Sequence, residues 1–329
     1  MFDFIGKRRW FFLASGLIIL VGLISMLYSL ISYGSPVRQG IEFSSGSMMT
    51  VRFEQDVSQG ELRDQMALLG HEDAIIQRTG EGDFIIRTGQ LAPEERDPAT
   101  GEVVTPSERA QIEEALEEEF GALTVLDFSS VTPTVSTETR DVAAAAVAVA
   151  AVGILLYITW AFRRLVRSFR FGVCAVIALL HDVVIVLGVF SLLGVFLGIE
   201  IDAMFVTGIL TVIGYSVNNT IVVFDRIREN MAKGTGASLE GVANRSIVET
   251  LPRSLNTSMT TLFVLLALFL FGGATIHDFI LVLLLGVIVG TYSSMCIASQ
   301  LVVAWATGGF GRMFRPLRRL APRRAPAGA

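Results

Sequence analysis

Apolar residues in this chain gather in long blocks. Six of them reach the length of roughly 18 residues that carries a helix across a bilayer. They run near Trp10–Ser32, Val142–Phe162, Phe171–Leu193, Ala203–Phe224, Val248–Phe271 and Phe279–Thr307. The fifth is the most polar, with Arg253, Asn256, Thr257 and Ser258 in its first half. Lys7, Arg8 and Arg9 precede the first block as they would precede a secretory signal. That block is longer than a signal core, however, and no small-x-small cleavage site follows it, so it is expected to stay as a helix.

Between the first two blocks the pattern changes. Residues 41–54 alternate around Met49, Val51 and Phe53, which predicts a strand. Ser58-Gln-Gly-Glu61 is a capping box, opening a helix that Gly70 stops. Two short strands follow, Ala74–Arg78 and Phe84–Thr88, turned by Gly80-Glu-Gly82. Residues 89–104 predict a loop. Thr105-Pro-Ser-Glu108 is a second capping box with proline at the first helical position, and that helix ends at Gly121 before a last strand, Leu123–Phe128. The order β-α-β-β-α-β is the split βαβ, ferredoxin-like arrangement. The predicted fold is therefore a six-transmembrane-helix bundle with one α+β domain between helices 1 and 2. Its segments are 1–33, 34–141, 142–307 and a basic tail, 308–329.

Charge sets the orientation. The chain's net charge is −5, yet residues 34–141 carry eight basic and 22 acidic side chains, a net of −14. The other 18 basic residues lie at Lys7–Arg9, at Arg163, Arg164, Arg167 and Arg170, between Arg226 and Arg253, and in the tail Arg312–Arg324. The positive-inside rule makes those segments cytoplasmic. The short connections on the other side hold Glu200, Asp202 and Asp278. Both termini are then cytoplasmic and residues 34–141 extracytoplasmic. The tail is expected near anionic lipid headgroups. The acidic run Glu113–Glu119 reads as a solvated helix face.

Chemistry is sparse. Cys174 and Cys296 both lie in apolar blocks, so the outside domain has no disulfide. No cluster has metal-ligand spacing and no Walker-type loop is present. Neither a cofactor nor nucleic acid is expected. What stands out is polarity at membrane depth, because a charge there costs several kcal/mol without a partner. Asp182, preceded by His181, falls near the midplane of the third block. It predicts either a proton carrier or a hydrogen-bonded pin between helices, and adjacent residues leave a helix on different faces. Thr211, Tyr215 and Asn219 are spaced by four, with Asn218 beside them. Arg253, Asn256, Thr257, Thr260 and Thr261 share one side of the fifth helix. Positions 219 and 253 should lie at similar depth and face each other. Arg253 has two readings, an interior partner or a side chain that snorkels to the headgroups. Gly286-x-x-x-Gly290, continued by Ser294 and Ala298, predicts close helix packing within this chain or against a partner.

Five motifs in order resemble the SecF family over residues 1–307. Gly214-Tyr-Ser-Val-Asn-Asn-Thr220 running into Val223-Phe-Asp-Arg-Ile-Arg-Glu-Asn230 resembles the signature at the end of the family's fourth helix. Arg253-Ser-Leu-Asn-Thr-Ser258 resembles the start of its fifth, and Ala178-Leu-Leu-His-Asp182 a motif of its third. Gly40-Ile-Glu-Phe-Ser-Ser-Gly46 and Ser130-Val-Thr-Pro133 resemble the entrance to and exit from the outside domain. The resemblance implies half of an RND-type transporter that pairs with SecD. Together they would associate with SecYEG and use the proton-motive force to draw preprotein outward, without covalent catalysis. It also makes Gly40, Gly46 and Pro133 hinge candidates, and Arg253, Asn219, Asn218 and Asp182 candidates for a proton path.

The departures sharpen these expectations. The family usually has an acidic residue where this chain has Asn219, and that residue is implicated in proton conduction with the arginine matched by Arg253. An amide does not titrate. The expected arrangement puts the titrating carboxylate in SecD, with Arg253 and Asn219 tuning it. Ser45 and Thr132 replace glycines at hinge-like positions. Two other functions compete: an RND-type exporter of a lipid or small molecule, and a passive assembly factor of the translocon.

Overall fold

The computed structural model describes residues 2–80, 82–96, 103–163, 168–233 and 238–308. It divides into two compact units, one of Met1–Arg38 with Ala145–Ala329 and one of Gln39–Ala144. The tail Arg312–Arg324 and the loop residues Arg164 and Arg167 lie outside the described residues.

Among the described residues, six helices are long and apolar enough to cross a membrane. They are α1 (Arg8–Tyr33), α5 (Pro133–Ala161), α6 (Phe169–Leu197), α7 (Ala203–Ala232), α8 (Leu239–Phe271) and a composite sixth. The composite runs through α9 (Ala274–Ser293), a π-helical turn (Ser294–Ala298) and α10 (Ser299–Ala306). Several helices outrun their apolar blocks, among them α7, which continues past Phe224 to Ala232. Pro133, at the first helical position, opens α5 well before Val142, because proline needs no amide partner there. The α8 helix starts at Leu239, capped by Ser238, and continues through Pro252.

Three spans form the middle of the first unit and three its rim: α6, α7 and the composite span bury about half of their apolar windows, and α1, α5 and α8 far less. The contacts are made by missing side chains. A Cβ added at Gly286 would overlap the Val212 side chain, and one at Gly290 would meet Ser216 Cβ at 3.0 Å. The small-residue stripe therefore packs α9 onto α7 of the same chain. Gly22 of α1 and Gly188 of α6 face each other so closely that a Cβ on Gly22 would lie 2.9 Å from the Gly188 Cα. Ser25 and Ser191 share a hydrogen bond of 2.9 Å beside them. Phe162 stacks on Phe171, and Phe224 meets both edge-on, at one end of this core.

The second unit follows the predicted order of elements, with four corrections. Residues 41–44 form a helical turn, α2 (Ile41–Ser44), and the strand β1 covers only Gly46–Phe53. Ile41 and Phe43 are both buried, so their spacing looked like a strand. The helix α4 (Glu108–Phe120) is capped by Ser107, whose side chain accepts from Ala110 N, and not by Thr105. Thr105 instead ends β5 (Val103–Thr105), which pairs with β4 (Glu95–Arg96) inside the expected loop. The last strand, β6 (Leu123–Val131), is longer than expected. The first capping box is present, with Ser58 and Glu61 exchanging hydrogen bonds at the start of α3 (Gln59–Leu68).

The four main strands lie in the order β2 (Ile75–Arg78), β3 (Phe84–Thr88), β1, β6, each antiparallel to its neighbour. Met49 and Val51 of β1 and Ile86 of β3 point into one core with Leu62 and Met66 of α3 and Ile112 and Leu116 of α4. On β1, Arg52 grips the buried Asp83 with two guanidinium nitrogens, at 2.5 and 2.8 Å. Those bonds hold the Asp83 carboxyl below its usual range.

The entrance to this unit carries backbone strain. Gly40 caps α2 in ordinary extended geometry, and Gly46 has φ 122° with Thr88 O only 2.5 Å from where a Cβ would stand. Ser45 lies at φ 64°, ψ 167°. That region belongs almost wholly to glycine and costs another residue on the order of 1–3 kcal/mol.

Ser45→Gly should therefore slow hydrogen exchange of the β1 amides in the full chain, by a stabilisation of about 1 kcal/mol. Gly286→Val should cost about 1–3 kcal/mol by overpacking, read as a lower melting temperature in detergent. Gly153→Val, where nothing lies within 4 Å, should leave that temperature unchanged. Because the Asp83 carboxyl is depressed in the folded state, its contribution is present above the ordinary Asp range and lost as pH falls through the folded value. Arg52→Gln should loosen β1 and β3 at neutral pH, and its effect should vanish in strong acid, as judged by exchange of their amides.

Candidate functional site

Polar side chains interrupt the apolar interior of the helix bundle in several places. Asp182, near the middle of α6, is 1% exposed. Its Oδ2 accepts hydrogen bonds from Ser216 Oγ of α7 at 2.6 Å and Ser293 Oγ of α9 at 2.7 Å. Its Oδ1 lies 2.9 Å from His181 Nδ1. The expectation that neighbouring side chains diverge is thus overturned: the imidazole folds back along the helix to reach the carboxylate. The close approach of α7 and α9 at Gly290 is what brings both hydroxyls to one oxygen.

Ser293 is the last residue before the π turn. A π turn inserts one residue into a helix and shifts the following faces by about a quarter turn, and such turns favour functional positions. Ser294 and Ser299 hydroxyls donate to the carbonyls of Thr291 and Ser294 around it.

A second polar chain runs across α7, α8 and α9. Tyr215 donates to Ser258 at 2.9 Å, Ser258 shares a proton with Thr291 at 2.6 Å, and Thr291 bonds the Val287 carbonyl. Asn219 is buried, at 3% exposure, and its amide nitrogen has no hydrogen-bond partner.

Arg253 does not meet it. It lies on the outward face of α8 with Asn256, Thr257 and Thr260, while Ser254 and Ser258 point in. Among the described residues no hydrogen bond or ion pair engages its guanidinium. The stripe 211, 215, 219 also fails as one face. Steps of four drift about 40° each around a helix, so Thr211 is exposed, Tyr215 half-buried and Asn219 buried. The outward polar stripe of α7 is instead Thr207, Thr211, Gly214 and Asn218.

The signature at the end of α7 forms a third cluster. Arg226 bonds Glu249 of α8 at 2.7 Å, and Asn230 bonds Glu249 at 2.9 Å and Ser246 at 3.0 Å. Farther along the chain's start, the side-chain oxygen of Asn244 receives the amides of Phe4 and Ile5. Sequence reasoning missed Ser216, Ser293, Glu249 and Asn244. Small polar residues next to glycines in an apolar block were the available signal for the first two. Among the described residues, no group of three or more His, Cys, Asp or Glu side chains converges as a metal site.

Comparison with known proteins places this architecture. Residues 111–308 match the model of the SecD/SecF protein export membrane protein, C-terminal part, and residues 32–57 match the SecD/SecF GG motif. A protein translocase subunit SecF from Thermobaculum terrenum is 44% identical over 96% of this chain and 97% of its own length. One from Vibrio alginolyticus is 40% identical over 80% of this chain and 79% of its own. The crystal structure of SecDF from Thermus thermophilus, a translocon-associated membrane protein, superposes with a TM-score of 0.75 at 34% identity. That match covers 93% of this chain but 39% of the longer SecDF chain. With motifs, helices and relatives agreeing, the chain belongs to the SecF branch of the SecD/SecF family of protein export membrane proteins.

Proposed function

We propose that this chain is the SecF half of a proton-driven export complex, acting beside SecD and the SecYEG channel on preprotein in the cytoplasmic membrane. The observation that carries this reading is the outward polar stripe. Arg253, Asn256, Thr257 and Thr260 of α8 and Thr207, Thr211 and Asn218 of α7 lie on exposed faces of neighbouring membrane-length helices. A lipid-facing arginine at depth costs about 2.5–3.5 kcal/mol even on the lenient insertion scale. Polar side chains line protein contacts or aqueous paths in membranes. A second membrane chain with carboxylates at this depth would satisfy the stripe, and the homologous SecD is the natural occupant.

In this arrangement Arg253 faces a carboxylate of the partner and favours its ionised form, because a nearby cation lowers a carboxylate's proton affinity. Asn218 lies on the same face. Asn219 lies behind it, buried, and acts through α7. The positive-inside pattern puts both termini in the cytoplasm and residues 34–141 outside. Gly40, Gly46 and Pro133 are then the joints through which that segment would follow the helices, and the basic tail 308–329 would rest on anionic lipid. No covalent chemistry is assigned to the chain.

Depleting the chain should slow preprotein maturation in a pulse-chase while small-molecule efflux stays normal. Complementation with Arg253→Ala should fail although the complex still assembles. Normal maturation with lost efflux would sink this reading in favour of an exporter, and full complementation by Arg253→Ala would leave a passive assembly role.

A further inference from the structure

Asp182 is the most buried carboxylate among the described residues. A pin between helices needs no carboxylate: a serine or an asparagine would accept the same two hydroxyls without the penalty of burying an ionisable group. What distinguishes Asp182 is that it is addressed. His181 Nδ1 stands 2.9 Å from Oδ1, and the other ring nitrogen, Nε2, is buried with no hydrogen-bond partner. An imidazole can accept a proton at one nitrogen and release one from the other. On the far side, Oδ2 is held by two hydroxyls from two different helices.

The two hydroxyls are not equivalent. Ser293 has a second acceptor, the Gly290 carbonyl at 3.3 Å, and it adjoins the π turn. Among the described residues, His181 is the one ion-pair partner of Asp182. Of the titratable groups on the surrounding elements, Tyr215 bonds Ser258 of α8, Tyr292 bonds Ser15 and the Phe11 carbonyl of α1, and Cys296 is a buried thiol in the π turn.

We propose that Asp182, reached through His181, takes up and releases a proton within this chain, and that Ser293 passes its change of charge to the π turn of the sixth span. The proposal rests on the proton-driven reading above and supplies the in-chain carboxylate that Asn219 does not. A proton arriving at His181 Nε2 leaves from Nδ1 to Asp182 Oδ1, so the imidazole returns to neutral and the carboxylate becomes a carboxyl. Oδ2 is then a carbonyl oxygen and a weaker acceptor. Ser293 can turn its hydroxyl to Gly290, loosening α9 from α6 where the helix already departs from regular α geometry. Release of the proton reverses each step.

The test is infrared difference spectroscopy of the purified full chain across a pH titration, with export measured in parallel. On acidification the wild-type chain should gain, beside the carboxyl bands of its solvent-exposed acidic residues, one separate carbonyl band at the frequency of a buried carboxyl. Asp182→Asn should abolish that band, and Ser293→Ala should shift it without removing it. In cells, Asp182→Asn keeps the hydrogen bonds but not the titration, so preprotein maturation should fall at least tenfold, with Asp182→Glu recovering part of it. A band that persists in Asp182→Asn, or full-rate maturation in that variant, would overturn the proposal. If depletion of the chain leaves maturation untouched, the export reading fails, and the infrared band still decides for or against Asp182.

Discussion

The interior of this bundle depends on how closely α7 and α9 approach. Gly286 gives way to Val212 and Gly290 to Ser216, so two helices touch where larger residues would hold them apart. Without a hydrophobic drive between helices in lipid, such contact packing is what remains to hold them. It also has a chemical result. Only at that separation can hydroxyls from both helices reach a single carboxylate oxygen on α6. The polar seam is thus a product of glycine placement as much as of the polar residues themselves.

Hydrocarbon imposes a sorting rule that the helices obey unevenly. Ser216, Ser258, Thr291 and Ser293 turn inward and bond the Asp182 carboxylate, one another or a backbone carbonyl. The outward residues of α8 do not. Their threonine hydroxyls can fold back on the helix, as Thr257 does to the Arg253 carbonyl at 3.0 Å, but a guanidinium has no such refuge. One face of the bundle is therefore complete and another is unfinished, which is the physical content of calling the chain a subunit.

Much of this was legible in the residues. Spans declare themselves because apolar length is a local property, and the Ser58–Glu61 box because capping acts over three residues. Errors arose where distant partners decide. Thr105 and Ser107 are equally good caps, and only the pairing of β5 with β4 removes the first. Ile41 and Phe43 alternate like a strand, and the left-handed backbone of Ser45 that ends the turn leaves no mark in composition. Asp182 was conspicuous, yet its partners lie 34 and 111 residues away. A stride of four described a face on α7 only for a turn or two before the helix carried it from the surface to the core.

The first helix contributes little to the core, yet it is held at two places. Midway along, its backbone rests on that of α6 through Gly22 and Gly188, with no side chain between them to act as a bearing. At its start, Asn244 of α8 holds the amides of Phe4 and Ile5, and Gln300 of α10 donates to the Phe4 carbonyl. Such a helix cannot spin about its axis or slide without dragging three others. It behaves as a tie rod, and its anchored start and middle fix the place of Tyr33, where the chain leaves the bundle.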